Sequence, residues 1–126
     1  MINGVLRYLA AAAIALAVAS PSIDQVAARG RTLDENAALT LLESTIKRDH
    51  VYDRRISFNC VTFETEETTR IYFEFVLREN HNAKCGGDPD LSPAIDRYRV
   101  NRASGKIEWL EPTESNWQPY NPAKIR

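Results

Sequence analysis

The chain has 126 residues, with 16 Lys+Arg against 17 Asp+Glu and two cysteines. That length holds one modest domain, and a formal charge of −1 excludes a general electrostatic attraction to nucleic acid or anionic lipid. It also leaves a core small enough that a covalent staple would add appreciably to its stability.

The first residues, MINGVLRYLAAAAIALAVA, carry one positive charge at Arg7 and then an apolar run from Tyr8 to Ala19. Small residues at Ala17 and Ala19 precede Ser20 and Pro21, and this arrangement predicts a secretory signal peptide over residues 1–19. Cleavage after Ala19 is the first expectation; the VAA stretch offers cleavage after Ala27 or Ala28 as an alternative. The 12-residue run is short against the ~20 residues a bilayer span needs, so no stable membrane anchor is expected after cleavage. A periplasmic or secreted location follows. Residues 1–19 hold Arg7 and no acid, so their removal leaves 107 residues with 15 basic and 17 acidic side chains.

Residues 20–31 show no sustained period and read as a flexible leader. In TLDENAALTLLESTIKRDH, Thr32 followed by Glu35 forms a capping-box pattern. Asp34 and Glu35 in the first turn and Lys47 and Arg48 in the last suit the helix dipole. Ala38, Leu39, Leu42 and Ile46 recur at helical spacing, so a helix is predicted over about 33–49.

The period then drops to two. Ile56, Phe58 and Cys60 alternate with polar residues, and a phase shift bringing Val61 and Phe63 inward predicts a bulge near Cys60. After the polar turn ETEETT, Ile71, Phe73, Phe75 and Leu77 share one face of a second strand. A third strand alternates Tyr98 and Val100 with Arg97, Arg99 and Asn101, and the turn ASG leads into KIEWLE, the fourth. The tail PTESNWQPYNPAKIR has three prolines and reads as an extended arm over 113–126. The expected domain is therefore α+β over 32–112: one N-terminal amphipathic helix packed on a four-stranded antiparallel meander.

Between the second and third strands lies NAKCGGDPDLSP. Gly86 and Gly87 permit a chain reversal, and the X-Pro pairs at Pro89 and Pro93 lead into the next strand. In an oxidising compartment two cysteines allow one internal pairing, Cys60–Cys85. His50, His81 and the two cysteines match a zinc stoichiometry, but no Cys-x-x-Cys or close His pair supplies the spacing. Asp88 and Asp90 lack the further oxygen ligands of a calcium loop and suit Asx turns better. Neither metal nor cofactor is expected.

None of the nucleophile, P-loop, zinc-protease or dinucleotide motifs occurs. An enzyme reading would have to rest on His81 and Asp88 in the glycine loop, with His50 and Asp53 as further candidates, and no catalytic residue is assigned. The outward positions are more suggestive. Tyr72, Glu74 and Arg78 from the second strand and Arg97 and Arg99 from the third form a candidate protein-binding set, since Tyr and Arg are favoured interface anchors. Trp117 and Tyr120 from the tail either join it as a docking arm or cover an open side of the core.

The terminal stretch RYRVNRASGKIEWLE, with its strand, Ser-Gly turn and strand over 100–107, follows a signal peptide and a helix. That order resembles the PepSY-like and cystatin-like helix-on-sheet modules of bacterial envelopes. The Cys-Gly-Gly-Asp-Pro loop, the cysteine pair and the aromatic tail depart from those modules. The resemblance implies a non-enzymatic envelope module that binds a protein, as an inhibitor or an immunity-type protein of an envelope enzyme. The alternative is a carrier or sensor holding a small ligand between helix and sheet, which requires a cavity there.

Overall fold

The computed structural model describes residues 30–125. The expected signal peptide, and the leader up to residue 29, lie outside the described residues. Over residues 31–125 the fold is α+β, one long helix against an antiparallel sheet.

Helix α1 runs over Glu35–Arg48. Its N-cap is Asp34, whose carboxylate accepts the Ala37 N–H at 2.8 Å, so the capping box expected at Thr32 and Glu35 does not form. The reason lies one residue earlier. The Leu33 N–H donates to the Arg102 carbonyl at 2.7 Å, which ties residue 33 to the turn after the third strand and delays the helix start. The buried stripe is Ala38, Leu42, Thr45 and Ile46, with Leu39 only half-buried. Thr45 is tolerated inside because its hydroxyl donates to the Leu41 carbonyl at 2.7 Å. His50 ends the helix in a left-handed conformation, φ 52°, and the chain then inserts Val51 and Tyr52 into the core.

The expected strand over Ile56, Phe58 and Cys60 is instead a 3-10 turn at Phe58–Cys60, closed by the Cys60 N–H on the Ser57 carbonyl at 2.8 Å. The phase change at Cys60 is the exit of that turn. The bulges fall elsewhere: one between Thr65 and Glu67, one where Leu77 and Arg78 meet Asp96 and Ala94.

Strands β1 (Val61–Thr68), β2 (Tyr72–Glu79), β3 (Ala94–Asn101), β4 (Ile107–Glu111) and β5 (Asn116–Pro119) lie in sheet order β1-β2-β3-β4-β5, each antiparallel to its neighbour. The sheet thus has five strands rather than four. The tail expected as an extended arm supplies β5 and then a short helical turn, α2 (Pro122–Ile125), which buries Ile125. Its prolines do not forbid this. Pro119 ends an edge strand, where a missing N–H breaks no ladder, and Ser115 turns the chain at φ 55°.

The core lies between α1 and the inner sheet face, where Phe73, Phe75, Leu77, Tyr98, Val100 and Trp109 meet Ala38, Leu42 and Ile46. A polar cluster is sealed within it. The Tyr52 hydroxyl donates to Asp96 at 2.6 Å, the Trp109 indole N–H donates to the other oxygen of Asp96 at 3.0 Å, and the Tyr52 and Tyr98 hydroxyls are hydrogen-bonded to each other. Burial pushes both tyrosine pKa values far above their usual range, so these phenols are neutral donors. Each is satisfied, which is the condition for polar groups to sit in a core.

Candidate binding face of the sheet

Side chains alternate across the strands, so the antiparallel register decides which of them share the outer face. From β2 these are Tyr72, Glu74, Val76 and Arg78; across from them on β3 stand Asn101, Arg99 and Arg97. Glu108 faces Arg99 from β4, and Leu110 faces Trp117 from β5. Six of the seven candidate binding residues are therefore on one face. Tyr120 is the exception: its ring is near Tyr98 on the helix side and its hydroxyl donates to Asp49 at 2.9 Å. It closes the core instead.

The centre of the face is a stack. The Arg99 guanidinium lies 4.2 Å from the Tyr72 ring centroid and 4.6 Å from the Trp117 ring. Its Nη2 approaches Glu108 at 2.6 Å and its Nε donates to the same carboxylate at 2.8 Å. Two rings and a carboxylate thus hold one cation in a fixed plane across four adjacent strands, β2 to β5. Such a sandwich is worth about 0.5–1 kcal/mol per ring at exposed sites.

A second set of charges lies toward β1. Arg97 on β3 donates twice to Glu66 on β1, at 2.7 and 2.9 Å, and so reaches over the strand between them. That crossing explains Val76, which is on the outer face yet only 1 % exposed. Arg78 donates to Glu64 at 3.1 Å and to the Ser92 carbonyl at 3.0 Å. All three arginines of the face are thereby matched. Glu74 is not: it stands opposite Glu67 in the β1–β2 register and makes no salt bridge among the described residues. Partial burial, then the Glu67 charge, hold its pKa above the ordinary carboxylate range despite Arg99.

The partners that sequence reasoning left out are Glu64, Glu66 and Glu108. The signal for two of them was present, since Glu64 alternates with Phe63, and Glu108 with Trp109. Glu66 occupies the bulge, where the period of two breaks.

Beside this face lies the loop of residues 80–93. Cys60 and Cys85 are joined in a disulfide, Cα atoms 5.6 Å apart, as expected, which leaves the zinc stoichiometry without thiolates. Asp88 accepts the Asp90 N–H at 3.0 Å, an Asx turn. His81 meets the carbonyl of Asp88, not its carboxylate, at 2.8 Å through Nδ1, and Glu79 at 2.6 Å through Nε2. The pairing that an enzyme reading would need is therefore absent between these two residues. His50 pairs with Asp53 at 2.6 Å on the exposed surface.

Fold and face together define a class: a disulfide-stapled α+β domain, helix on one side of an antiparallel meander, with no second layer of described residues over the other. No family model, curated protein or solved structure matches the chain. Among the described residues no helix is long and apolar enough to cross a membrane. The Cys60–Cys85 disulfide is compatible with an extracellular location.

Proposed function

We propose that this chain is an exported, non-enzymatic module that binds a partner protein through the outer face of its sheet, an inhibitor or immunity-type protein of an envelope enzyme being the form we favour. The observation that carries this reading is the Tyr72–Arg99–Trp117 stack on an uncovered face. Tyr, Trp and Arg dominate interface energetics, and side chains already held in place lose little entropy on binding. Glu74, opposed by Glu67, offers a place for a partner's Lys or Arg, whose charge would relieve that repulsion. The carrier reading needs a cavity between helix and sheet, where Leu42, Phe75, Leu77 and Tyr98 are packed at 0 % exposure; a cavity lined by His50, Val51, Asp53, Arg54 and Arg55 lies instead in the segment after the helix.

The test is capture from the envelope extract with the oxidised protein as bait, repeated with variants. A stoichiometric partner should lose about tenfold or more in affinity with Trp117→Ala or Arg99→Ala. It should bind Thr40→Ala, an exposed change on the helix, as it binds the parent. Equal retention by all three variants would refute the assignment of this face.

A further inference from the structure

His81 sits where the loop of residues 80–93 leaves β2, and both of its ring nitrogens are engaged. Nε2 faces the Glu79 carboxylate and Nδ1 the Asp88 carbonyl. A carbonyl and an ionised carboxylate only accept hydrogen bonds, so both contacts are made together only when both nitrogens carry protons. The ring is held against the backbone as well: a Cβ on Gly87 would stand 2.6 Å from it.

The loop has other fastenings, and they define what this histidine holds. On its near side the disulfide fixes Cys85, and the Gly86 N–H donates to the Asn82 carbonyl at 2.8 Å. On its far side the Ser92 hydroxyl donates to the Glu79 carbonyl at 2.9 Å, and the Glu79 N–H to the Pro93 carbonyl at 3.0 Å. Between those anchors, residues 87–91 reach the body of the domain through His81.

We infer that His81 is a protonation latch: as the imidazolium it fastens Asp88 to the end of β2, and loss of one proton releases residues 87–91 while the disulfide keeps the rest of the loop in place. Neutral imidazole has a single N–H, and the ionised Glu79 carboxylate is a stronger acceptor than the Asp88 carbonyl, so the ring keeps Glu79 and lets Asp88 go. The groups facing the ring are Glu79 from β2 and Asp88 from the loop. Their hydrogen bonds, Glu79 first, hold the His81 pKa above the usual histidine value. The loop is therefore closed at pH values below that raised value, where the ring is protonated and Glu79 ionised, and it opens as pH rises through it.

The experiment is NMR on the oxidised protein. The His81 ring resonances give its titration, and 13Cα relaxation at Gly87, which does not depend on amide exchange, gives the order of the loop. The expected result is a His81 midpoint above about 6.5, with the Gly87 order parameter falling from about 0.85 to below about 0.6 through that same midpoint. Gly105, in the β3–β4 turn, should remain unchanged. Glu79→Gln should lower the His81 midpoint and keep Gly87 ordered through it, because the Gln amide can donate to a neutral Nε2 while Nδ1 still donates to Asp88. His81→Gln, which has no titrating ring, should abolish the pH dependence at Gly87. Loop order that stays constant through the His81 midpoint of the parent protein would overturn the inference, and so would a pH dependence that survives in His81→Gln.

Discussion

Gly87 adopts φ 80° and leaves no room for a Cβ beside His81, whereas Gly86, at φ 75°, faces open space. The two neighbours therefore separate conformational strain from steric contact. Gly86→Ala should cost about 1 kcal/mol, the penalty of a left-handed backbone for a residue with a Cβ. Gly87→Ala should cost clearly more, about 2–3 kcal/mol, because the His81 ring must also be displaced; urea denaturation of the pair measures the difference. Glu74 makes a prediction of opposite sign. Its pKa is raised in the folded protein, so the native state binds more protons than the unfolded chain between the two values, and stability falls as pH rises through that window. At pH 7 the ionised carboxylate is a penalty. Glu74→Gln should then stabilise the protein by about 0.2–1 kcal/mol at neutral pH, and the gain should vanish below about pH 4, where the carboxyl is protonated in both states. Urea melts at the two pH values decide it.

Among the elements, the helix shows how a local pattern is overruled by a distant contact. Thr32, Asp34 and Glu35 all suit a helix start, and the bond from the Leu33 N–H to Arg102 selects Asp34 as the cap. Asp34→Ala should lower stability by about 1 kcal/mol, while Thr32→Ala should leave the urea midpoint unchanged. The strands divide in the same way. The alternation of Phe73, Phe75 and Leu77 marks β2 plainly, because a half-buried strand must repeat with period two. β5 carries no such mark: Asn116–Pro119 is four residues long, ends in proline, and is a strand because Glu108–Glu111 of β4 offer it a ladder. The bulges are equally silent, since an extra residue shows only against the strand that pairs with it.

For the whole molecule the disulfide matters most. It closes a separation of 25 residues between the end of the 3-10 turn and the loop after β2, and the chain-entropy model gives such a closure about 3 kcal/mol. The double variant Cys60→Ala, Cys85→Ala should lose roughly that amount in urea. Intact mass of the parent should rise by two hydrogen atoms on reduction. Composition, the helix stripe, the β2 alternation and two cysteines determined by themselves that this is an α+β domain with one staple, because those features depend on local periodicity and on a pairing with a single solution. They also marked Tyr72, Glu74, Arg78, Arg97 and Arg99 as outward-facing, and left Trp117 and Tyr120 open between covering the core and forming a docking arm. Only the tertiary structure decided that Arg99 lies between two rings, that Arg97 crosses β2 to Glu66 and seals Val76, and that Tyr120 belongs to the core. Each of those contacts joins strands or segments whose relative register is set by bulges and by the fifth strand, and register is a property of pairs of strands that no single segment carries.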